Sequence, residues 1–438
     1  MKQLGFNNSI IVASVLFLFG TGAILFFTPR TETFQLCFVY FSLYVAFIAL
    51  YHEVNKIRTA AAIGIFTRCL AWLAFPTLSD DIYRFIWDGS ISLQGVSPYL
   101  HLPSEFIANN NYPPFDQLLG LLNSPNYYSV YPTIIQLFSA FGALASNDLY
   151  LSSLLIKLPI LLSEIGTIWM LPKVLMRLNI SPKYSIIYML NPLMIIDVVG
   201  NAHFEAVMIF FTVLSIKLMQ DKKLKLAGAS LALAVGTKLI PFLFLPFLLK
   251  ALPKKDKGHF ILGFGALFIV LFSPFFQPEI ALNFLSSIRL YLQAFEFNAS
   301  IYYVARQFSF LIVGYNAIFI IGPALGVTSL GVIAYLFHKQ ESNDLQSALK
   351  SSFWGLMWYL LLATTVHPWY IALLIILGLF TRNFAAVAWS MLIFLSYSAY
   401  GNELNKENEI ILVIEYGGLA VAMFYPKLTR RLFSSAIQ

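Results

Sequence analysis

Long apolar runs recur from one end of the chain to the other, and they limit the possible folds more than any other feature. The runs cover residues 9–28, 34–51, 59–78, 150–171, 184–200, 204–219, 224–236, 239–249, 260–276, 315–337, 353–366, 369–380, 384–400 and 410–424. Lipid offers backbone groups no hydrogen-bond partner, so each crossing must be helical. We therefore expect an all-α polytopic membrane protein, a bundle of about 12 to 14 transmembrane helices. Residues 1–438 are expected to form a single membrane domain.

Composition supports this class and argues against others. Only 11% of the residues are charged, whereas a soluble globular domain carries about 25%. The two cysteines, Cys37 and Cys69, lie in apolar segments and give neither a disulfide framework nor a cysteine metal site. The net charge of +7 is spread over short loops rather than massed on one face, so nucleic-acid binding is not expected.

The distribution of lysine and arginine orients the predicted helices. Connections rich in these residues are expected on the cytoplasmic side, together with both termini. Alternating crossings then place residues 79–131, 201–205, 276–314 and 401–409, together with His367, on the outer face. Residues 133–146 are expected as a re-entrant or surface-lying helix, and residues 279–295 as an interfacial amphipathic helix. The short runs around Lys238 and His367 are expected to be half-helices or tilted pairs.

The segment 79–131 is a polar, aromatic-rich loop at the predicted membrane surface. If its start is helical, Asp81, Arg84 and Asp88 share one face, while Asp80 points about 100° away from Asp81. These acids have a simple alternative role, to cap and solvate a surface helix. Ionisable groups at the mouth of a membrane bundle favour a functional role instead.

Several motifs follow one another in a fixed order. They are DIYRFIWDG from Asp81, GVSPY from Gly95, NSP from Asn123, YP from Tyr131, NAHFE from Asn201, GTKLIP from Gly236 and HPWY from His367. This series resembles the GT-C superfamily of polytopic glycosyltransferases, in particular the bacterial polyprenyl-phosphate-mannose-dependent alpha-mannosyltransferases. Two departures stand out: Asp80 doubles the usual single acid, and one proline follows Tyr131 where the family often has two.

The resemblance implies transfer of a hexose, mannose being the expected sugar, from a polyprenyl monophosphate to a lipid-linked or glycan acceptor. It implies an integral protein of the bacterial inner membrane, with inverting chemistry on the periplasmic face. An inverting transfer needs one carboxylate to accept the acceptor's proton. Asp81 matches the family's catalytic acid and is expected to be this base, with Asp80 as the second candidate. No cofactor is expected, and membrane lipids are expected partners.

Further residues are assigned to the donor and to the sugar or acceptor. Cations and hydrogen-bond donors would stabilise the phosphate that leaves as an anion. The donor phosphate is expected to meet Lys238, His367 and Arg306. The sugar or acceptor is expected to contact Arg84, Trp87, Asp88, Tyr131, His203, Glu205 and Trp369. An unpaired ammonium in an apolar stretch costs about 2.5–3.5 kcal/mol, although Lys238 would avoid this cost by reaching from a helix end to a lipid headgroup.

Three alternatives remain open at this stage. A transporter or flippase of lipid-linked sugars would use broken helices such as the pair around Lys238, although we find no inverted repeat. A membrane scaffold would leave the acids of residues 80–88 without a purpose. His203 and Glu205 form a His-x-Glu fragment of a metal site, but a third ligand at usable spacing is missing from the pattern.

Overall fold

The computed structural model describes residues 8–109, 118–340, 342–402 and 406–433, and these residues form helices and the loops that join them. Within these ranges we find no β-strand, only an isolated bridge between Phe297 and Thr365. The expected all-α fold is confirmed. Residues 110–117 and 403–405, parts of two predicted outer loops, lie outside the described residues.

The helices follow one another with short connections. The first half contains α1 (Asn8–Phe27), α2 (Thr33–Glu53), α3 (Ile57–Leu73), α4 (Asp81–Leu93), α5 (Pro103–Asn109), α6 (Thr133–Ala143), α7 (Leu149–Arg177), α8 (Ser185–Met189), α9 (Glu205–Gln220) and α10 (Leu224–Thr237). The second half contains α11 (Leu245–Lys250), α12 (Lys254–Phe272), α13 (Pro278–Gln293), α14 (Ile301–Val313), α15 (Ile318–Lys339), α16 (Leu345–Leu362), α17 (Ala372–Thr381), α18 (Ala385–Leu392), α19 (Glu409–Phe424) and α20 (Pro426–Phe433). A π-helical segment, Met194–Gly200, and 3-10 segments at Pro182–Tyr184, Ile240–Phe244, Ser273–Phe276, Pro368–Ile371 and Ile393–Gly401 lie between them.

Helix length and hydropathy confirm a polytopic membrane protein. Five described helices are long and apolar enough to cross a bilayer: Ser9–Phe27, Thr33–Glu53, Leu149–Arg177, Lys254–Phe276 and Ile318–Lys339. The number rises to seven if each broken helix pair is counted as one span. Other apolar runs form helices shorter than the ~20 residues that a perpendicular crossing needs. One reason is the break expected at Lys238, where α10 ends before a 3-10 segment that contains Pro241. The total number of crossings stays a prediction.

The helices group into two compact units. The first unit comprises Met1–Leu78, Glu164–His203 and Pro368–Gln438. Within it, Arg68 of α3 donates from Nε to Glu164 of α7 at 2.6 Å and from Nη1 to the Met189 carbonyl at 2.6 Å. Arg68 and Glu164 are both fully buried. Buried charges need such pairing and additional hydrogen bonds to offset the loss of hydration. This pair therefore joins α3 to Glu164 within the first unit.

The second unit comprises Ser79–Ser163 and Phe204–His367, and glycines bring its helices close together. A Cβ atom at Gly228 of α10 would overlap the backbone of Phe260, and one at Gly263 of α12 would overlap the backbone of Lys225. Gly89 of α4 meets the backbone of α6 in the same way. Small residues allow membrane helices to approach this closely. These contacts fix α4, which begins at Asp81, and α10, which ends beside Lys238.

Two neighbouring glycines of α12 provide a matched test of this packing. We expect Gly263→Ala to lower the free energy of unfolding by about 1–3 kcal/mol, because the new methyl group forces the two backbones apart. Gly265 faces open space, so Gly265→Ala should not destabilise, since alanine is the better helix former by about 1 kcal/mol. Thermal unfolding in detergent measures both variants. Equal melting temperatures would contradict the close approach of α10 and α12.

Candidate functional site

Three ionisable side chains of the second unit, Asp81, Glu205 and His367, each interact with the ammonium of a fourth, Lys238. Asp81 and Glu205 are the first residues of α4 and α9, and Lys238 follows the last residue of α10. Helix N-termini favour negative charge and helix C-termini favour positive charge. Each of these three groups therefore lies at the helix end that stabilises its ionised form. We call the four residues the ionic cluster.

Lys238 is the cation of the ionic cluster. Its ammonium donates to Oε1 of Glu205, with the Lys238 side chain 20% exposed and that of Glu205 1% exposed. The backbone of Lys238 is extended, with φ −145° and ψ 141°, at the point where α10 ends. The side chain thus forms an ion pair within the unit, which offsets the cost of burying the ammonium. This finding favours a role in the site over the alternative in which Lys238 reaches for a lipid headgroup.

Asp81 is held in place by its neighbours. Its amide donates to Ser79 Oγ at 3.3 Å, and its Oδ1 accepts a hydrogen bond from Asn123 Nδ2 at 3.1 Å. Burial raises the pKa of Asp81 above its ordinary value; Lys238 and the side chains of Asn123 and Tyr131 act against this rise, and Asp80 adds to it. A carboxylate with a raised pKa is a stronger proton acceptor than an ordinary one.

His367 completes the ionic cluster as a neutral group. Burial, together with the positive charge of Lys238, lowers the pKa of His367 to about 3. Its ring packs on that of Phe297 at 4.9 Å between centroids. The backbone of Phe297 in turn exchanges hydrogen bonds with Thr364 and Val366. His367 therefore offers a hydrogen bond rather than a second positive charge.

Arg84 and Asp88 hold the loop that reaches Asp81. Arg84 Nε donates to Asp88 Oδ1 at 2.7 Å, and its Nη1 donates to the carbonyls of Ser124 and Tyr127, both at 2.9 Å. Asp88 Oδ2 also accepts hydrogen bonds from the side chains of Ser129 and Gln136. We call these contacts the loop clamp. The sequence predicts that Arg84 and Asp88 bind the sugar or acceptor. Their burial in the loop clamp favours a role in positioning the loop instead.

Asn123 is a hydrogen-bond partner of Asp81 that was not identified from the sequence. The motif NSP, which begins at Asn123, does not indicate which side chain the asparagine contacts. The position of Asn123 depends on two contacts that follow it in the loop: Arg84 donates hydrogen bonds to the carbonyls of Ser124 and Tyr127. A loop tied down at these points presents Asn123 to the carboxylate.

The other aromatic and acidic candidates of residues 79–131 lie in or against the first turns of α4. Trp87 is fully buried, with its ring edge against Phe106 at 6.1 Å, which is typical of core packing. Tyr131 packs edge-on against Phe85 at 4.8 Å and hydrogen-bonds to Asp81. Asp80 is half-buried beside Asp81. Tyr131 and Asp80 therefore belong to the surroundings of the predicted base.

Arg306 is paired outside the ionic cluster. Its Nη1 donates to Glu296 Oε1 at 2.5 Å, and its guanidinium lies over the ring of Tyr303 at 4.2 Å. Glu296 is the residue before Phe297, which packs against His367. Arg306 is therefore paired with the neighbour of Phe297, the residue that packs on His367.

His203 and Trp369 lie in the first unit and stack on each other. Their ring centroids are 3.7 Å apart and the planes are 17° from parallel. His203 Nε2 lies 3.8 Å from Asp197 Oδ1, which also accepts a hydrogen bond from the Tyr397 hydroxyl at 2.8 Å. His203 of the motif NAHFE and Trp369 of the motif HPWY thus meet at this stack. Asp197 and Tyr397 were not identified from the sequence.

Metal-ligating side chains are not grouped in the described residues. In the ranges 8–109, 118–340, 342–402 and 406–433, no three His, Cys, Asp or Glu side chains lie close enough together to hold a metal ion.

The fold and the ionic cluster together define a polytopic α-helical membrane protein with a carboxylate, lysine and histidine centre built at helix ends. Comparison with known proteins places it more closely. The chain belongs to the alpha-(1->6)-mannopyranosyltransferase family, whose N-terminal domain model matches residues 11–254, more than half of the chain. The predicted membership among the mannosyltransferases is confirmed. Asp81, Glu205 and Lys238 lie inside the matched range, and His367 lies beyond it.

One curated relative is alpha-(1->6)-mannopyranosyltransferase B of Corynebacterium glutamicum. It is 23% identical to this chain over 154 residues, which are 34% of this chain and 25% of the relative. The match therefore spans about a quarter of the relative's length. No solved structure gave a significant match.

The loop clamp can be tested against a matched ion pair. Arg84–Asp88 is buried, whereas Lys217–Asp221, also spaced i,i+4 with 2.7 Å between its charged atoms, is 29% and 16% exposed. We expect Arg84→Gln to lower the free energy of unfolding by about 3–5 kcal/mol, because it leaves a buried carboxylate without its cation. Lys217→Gln should cost less than about 1 kcal/mol. Thermal unfolding in detergent compares the two, and similar losses would contradict the clamp.

Proposed function

We propose that the protein is a membrane glycosyltransferase that moves mannose from a polyprenyl-monophosphate donor to a hydroxyl of a lipid-linked or glycan acceptor. The observation that carries this proposal is the joint presence, in one cluster, of a carboxylate with a raised pKa and a lysine ammonium. Family membership supports mannose as the sugar. The reaction takes place on the non-cytoplasmic face of a bacterial inner membrane, with both termini in the cytoplasm, as the charge distribution of the loops favours.

Asp81 acts as the general base. The acceptor oxygen attacks the anomeric carbon while its proton passes to the Asp81 carboxylate, and the bond between the anomeric carbon and the phosphate oxygen breaks. Attack from the side opposite the leaving phosphate inverts the anomeric centre. Asn123 and Tyr131 orient the carboxylate toward the acceptor. Asp80 is the second candidate for this step.

Lys238 and His367 receive the leaving phosphate. Negative charge grows on the lipid phosphate as the sugar departs, and a fixed ammonium stabilises that charge more in the transition state than in the ground state. His367, neutral in the free protein, donates a hydrogen bond to a phosphate oxygen. Arg306 is the further cation proposed for the donor phosphate. It is paired with Glu296, the residue before Phe297.

The stacked pair His203 and Trp369 is proposed to bind the sugar or acceptor. Both rings are buried and the imidazole covers one face of Trp369, so this proposal rests on the motifs NAHFE and HPWY rather than on an exposed ring surface. Arg84, Asp88 and Trp87 are proposed to hold the loop and the start of α4 in place rather than to contact the sugar.

Asp81→Asn tests the base directly. We expect the variant to lose about 10²- to 10⁴-fold in turnover, because a general base contributes an effect of this size. The variant Asp80→Asn, one residue earlier, should lose less. The measurement uses purified protein with polyprenyl-phosphate mannose and a lipid or glycan acceptor. Unchanged turnover in Asp81→Asn would remove Asp81 as the base.

The transporter alternative gives a different result in the same preparation. Broken helices such as the one at Lys238 also occur at transporter substrate sites. Uptake of a lipid-linked sugar by proteoliposomes, with no glycosidic product formed, would favour transport over transfer.

The pH dependence of turnover tests the environment of Asp81. The base works only when ionised, so the rate should rise with pH through a limb that lies above the range of an ordinary aspartate. The Asn123 hydrogen bond lowers the pKa of Asp81, so Asn123→Ala should move the limb to higher pH. Asn126→Ala, which removes an exposed asparagine of the same loop, should leave it in place. A limb unmoved by Asn123→Ala would contradict the assigned contact.

A further inference from the structure

The ionic cluster contains more acids than cations. Asp81 and Glu205 both interact with the single ammonium of Lys238, and Asp80 adds a third carboxyl group beside Asp81. His367 contributes no charge at neutral pH. A donor phosphodiester brings one more negative charge to the same place. Like charges in a weakly solvated site disfavour one another, so a proton is the simplest means of relieving them.

The two carboxylates differ in how well their oxygens are satisfied. Glu205 Oε1 binds Lys238, whereas Glu205 Oε2 is buried and has no hydrogen-bond partner among the described residues. Asp81 Oδ1 accepts from Asn123, and Asp81 is only partly buried. A buried oxygen without a partner is costly when charged, and it becomes a hydrogen-bond donor once it carries a proton. Glu205 is therefore the acid that gains most from protonation.

We propose that the donor phosphate binds together with one proton, which Glu205 takes up as Lys238 turns from Glu205 to the phosphate. The buffered solvent supplies the proton and the buffer acid is left as its conjugate base; the new O–H bond forms on Oε2 of Glu205, and Lys238 stays an ammonium throughout. The protonated Glu205 then donates a hydrogen bond to the phosphate that has replaced it as the partner of Lys238. This inference rests on the proposed function because it assigns the lipid phosphate to the ionic cluster.

The test uses a prenyl methyl phosphodiester, which keeps a single negative charge across the neutral range, whereas a phosphate monoester titrates there. For the wild-type protein in detergent, affinity should fall by up to about tenfold per pH unit as pH rises, the slope for one linked proton. In Glu205→Gln the slope should vanish, with binding at neutral pH at least as tight as in the wild type. A wild-type slope of zero, or an unchanged slope in Glu205→Gln, would overturn the proposal.

The other titratable groups that face Glu205 and Lys238 supply the controls. Asp81→Asn and His367→Asn should both keep the slope. Loss of the slope in His367→Asn instead of Glu205→Gln would place the proton on the imidazole and overturn the proposal. Asp80→Asn should also keep the slope, since Asp80 acts on Asp81 rather than on Glu205.

Calorimetry counts the proton without any variant. Binding heats for the wild-type protein, measured in two buffers of different ionisation enthalpy, should show uptake of one proton per phosphodiester at a pH within the sloped range. Saturable binding without proton uptake would contradict this inference and leave the proposed function standing. An absence of saturable binding would contradict both, because the phosphate would then have no site in the cluster.

Discussion

The ion pair between the partly exposed Lys238 and the buried Glu205 joins the end of α10 to the start of α9, 33 residues apart in the chain. Each charge lies at the helix end whose backbone favours it, so the pair is stable where isolated charges would not be. Asp81 and His367 then interact with the same ammonium from two other segments of the second unit. Removing either partner would leave a charge with little water around it, which costs more than the pair itself contributes.

The proposed base and the proposed phosphate-binding groups are held in place by two different sets of contacts. On the acceptor side, the loop clamp of Arg84 and Asp88 fixes residues 123–131, and this loop presents Asn123 and Tyr131 to Asp81. On the donor side, the ion pair holds Lys238, and the strand-like contact of Phe297 with Thr364 and Val366 holds His367. A base and a leaving-group site supported by different segments can each be fixed in its own geometry, which is what a displacement reaction requires.

The sequence predicted the membrane class and the family, but not the contacts of the proposed site residues. Long apolar runs and the order of the motifs sufficed for the first two. The spacing of Arg84 and Asp88 correctly put them on one face, yet only tertiary structure shows that they bind the loop backbone instead of facing outward. The neutral state of His367 depends on burial, which no local pattern reports. The helices around Lys238 are short because the chain breaks there and Pro241 follows.

The ammonium of Lys238, paired with Glu205 in this structure, is the group proposed to receive the donor phosphate opposite Asp81. A density map of the protein with bound polyprenyl phosphate is the decisive test of this assignment. We expect a phosphate oxygen within about 2.7–3.2 Å of Lys238 Nζ, the ion pair with Glu205 opened, and the Asp81 carboxylate facing the bound donor phosphate. A phosphate bound elsewhere, with Lys238 still on Glu205, would contradict it.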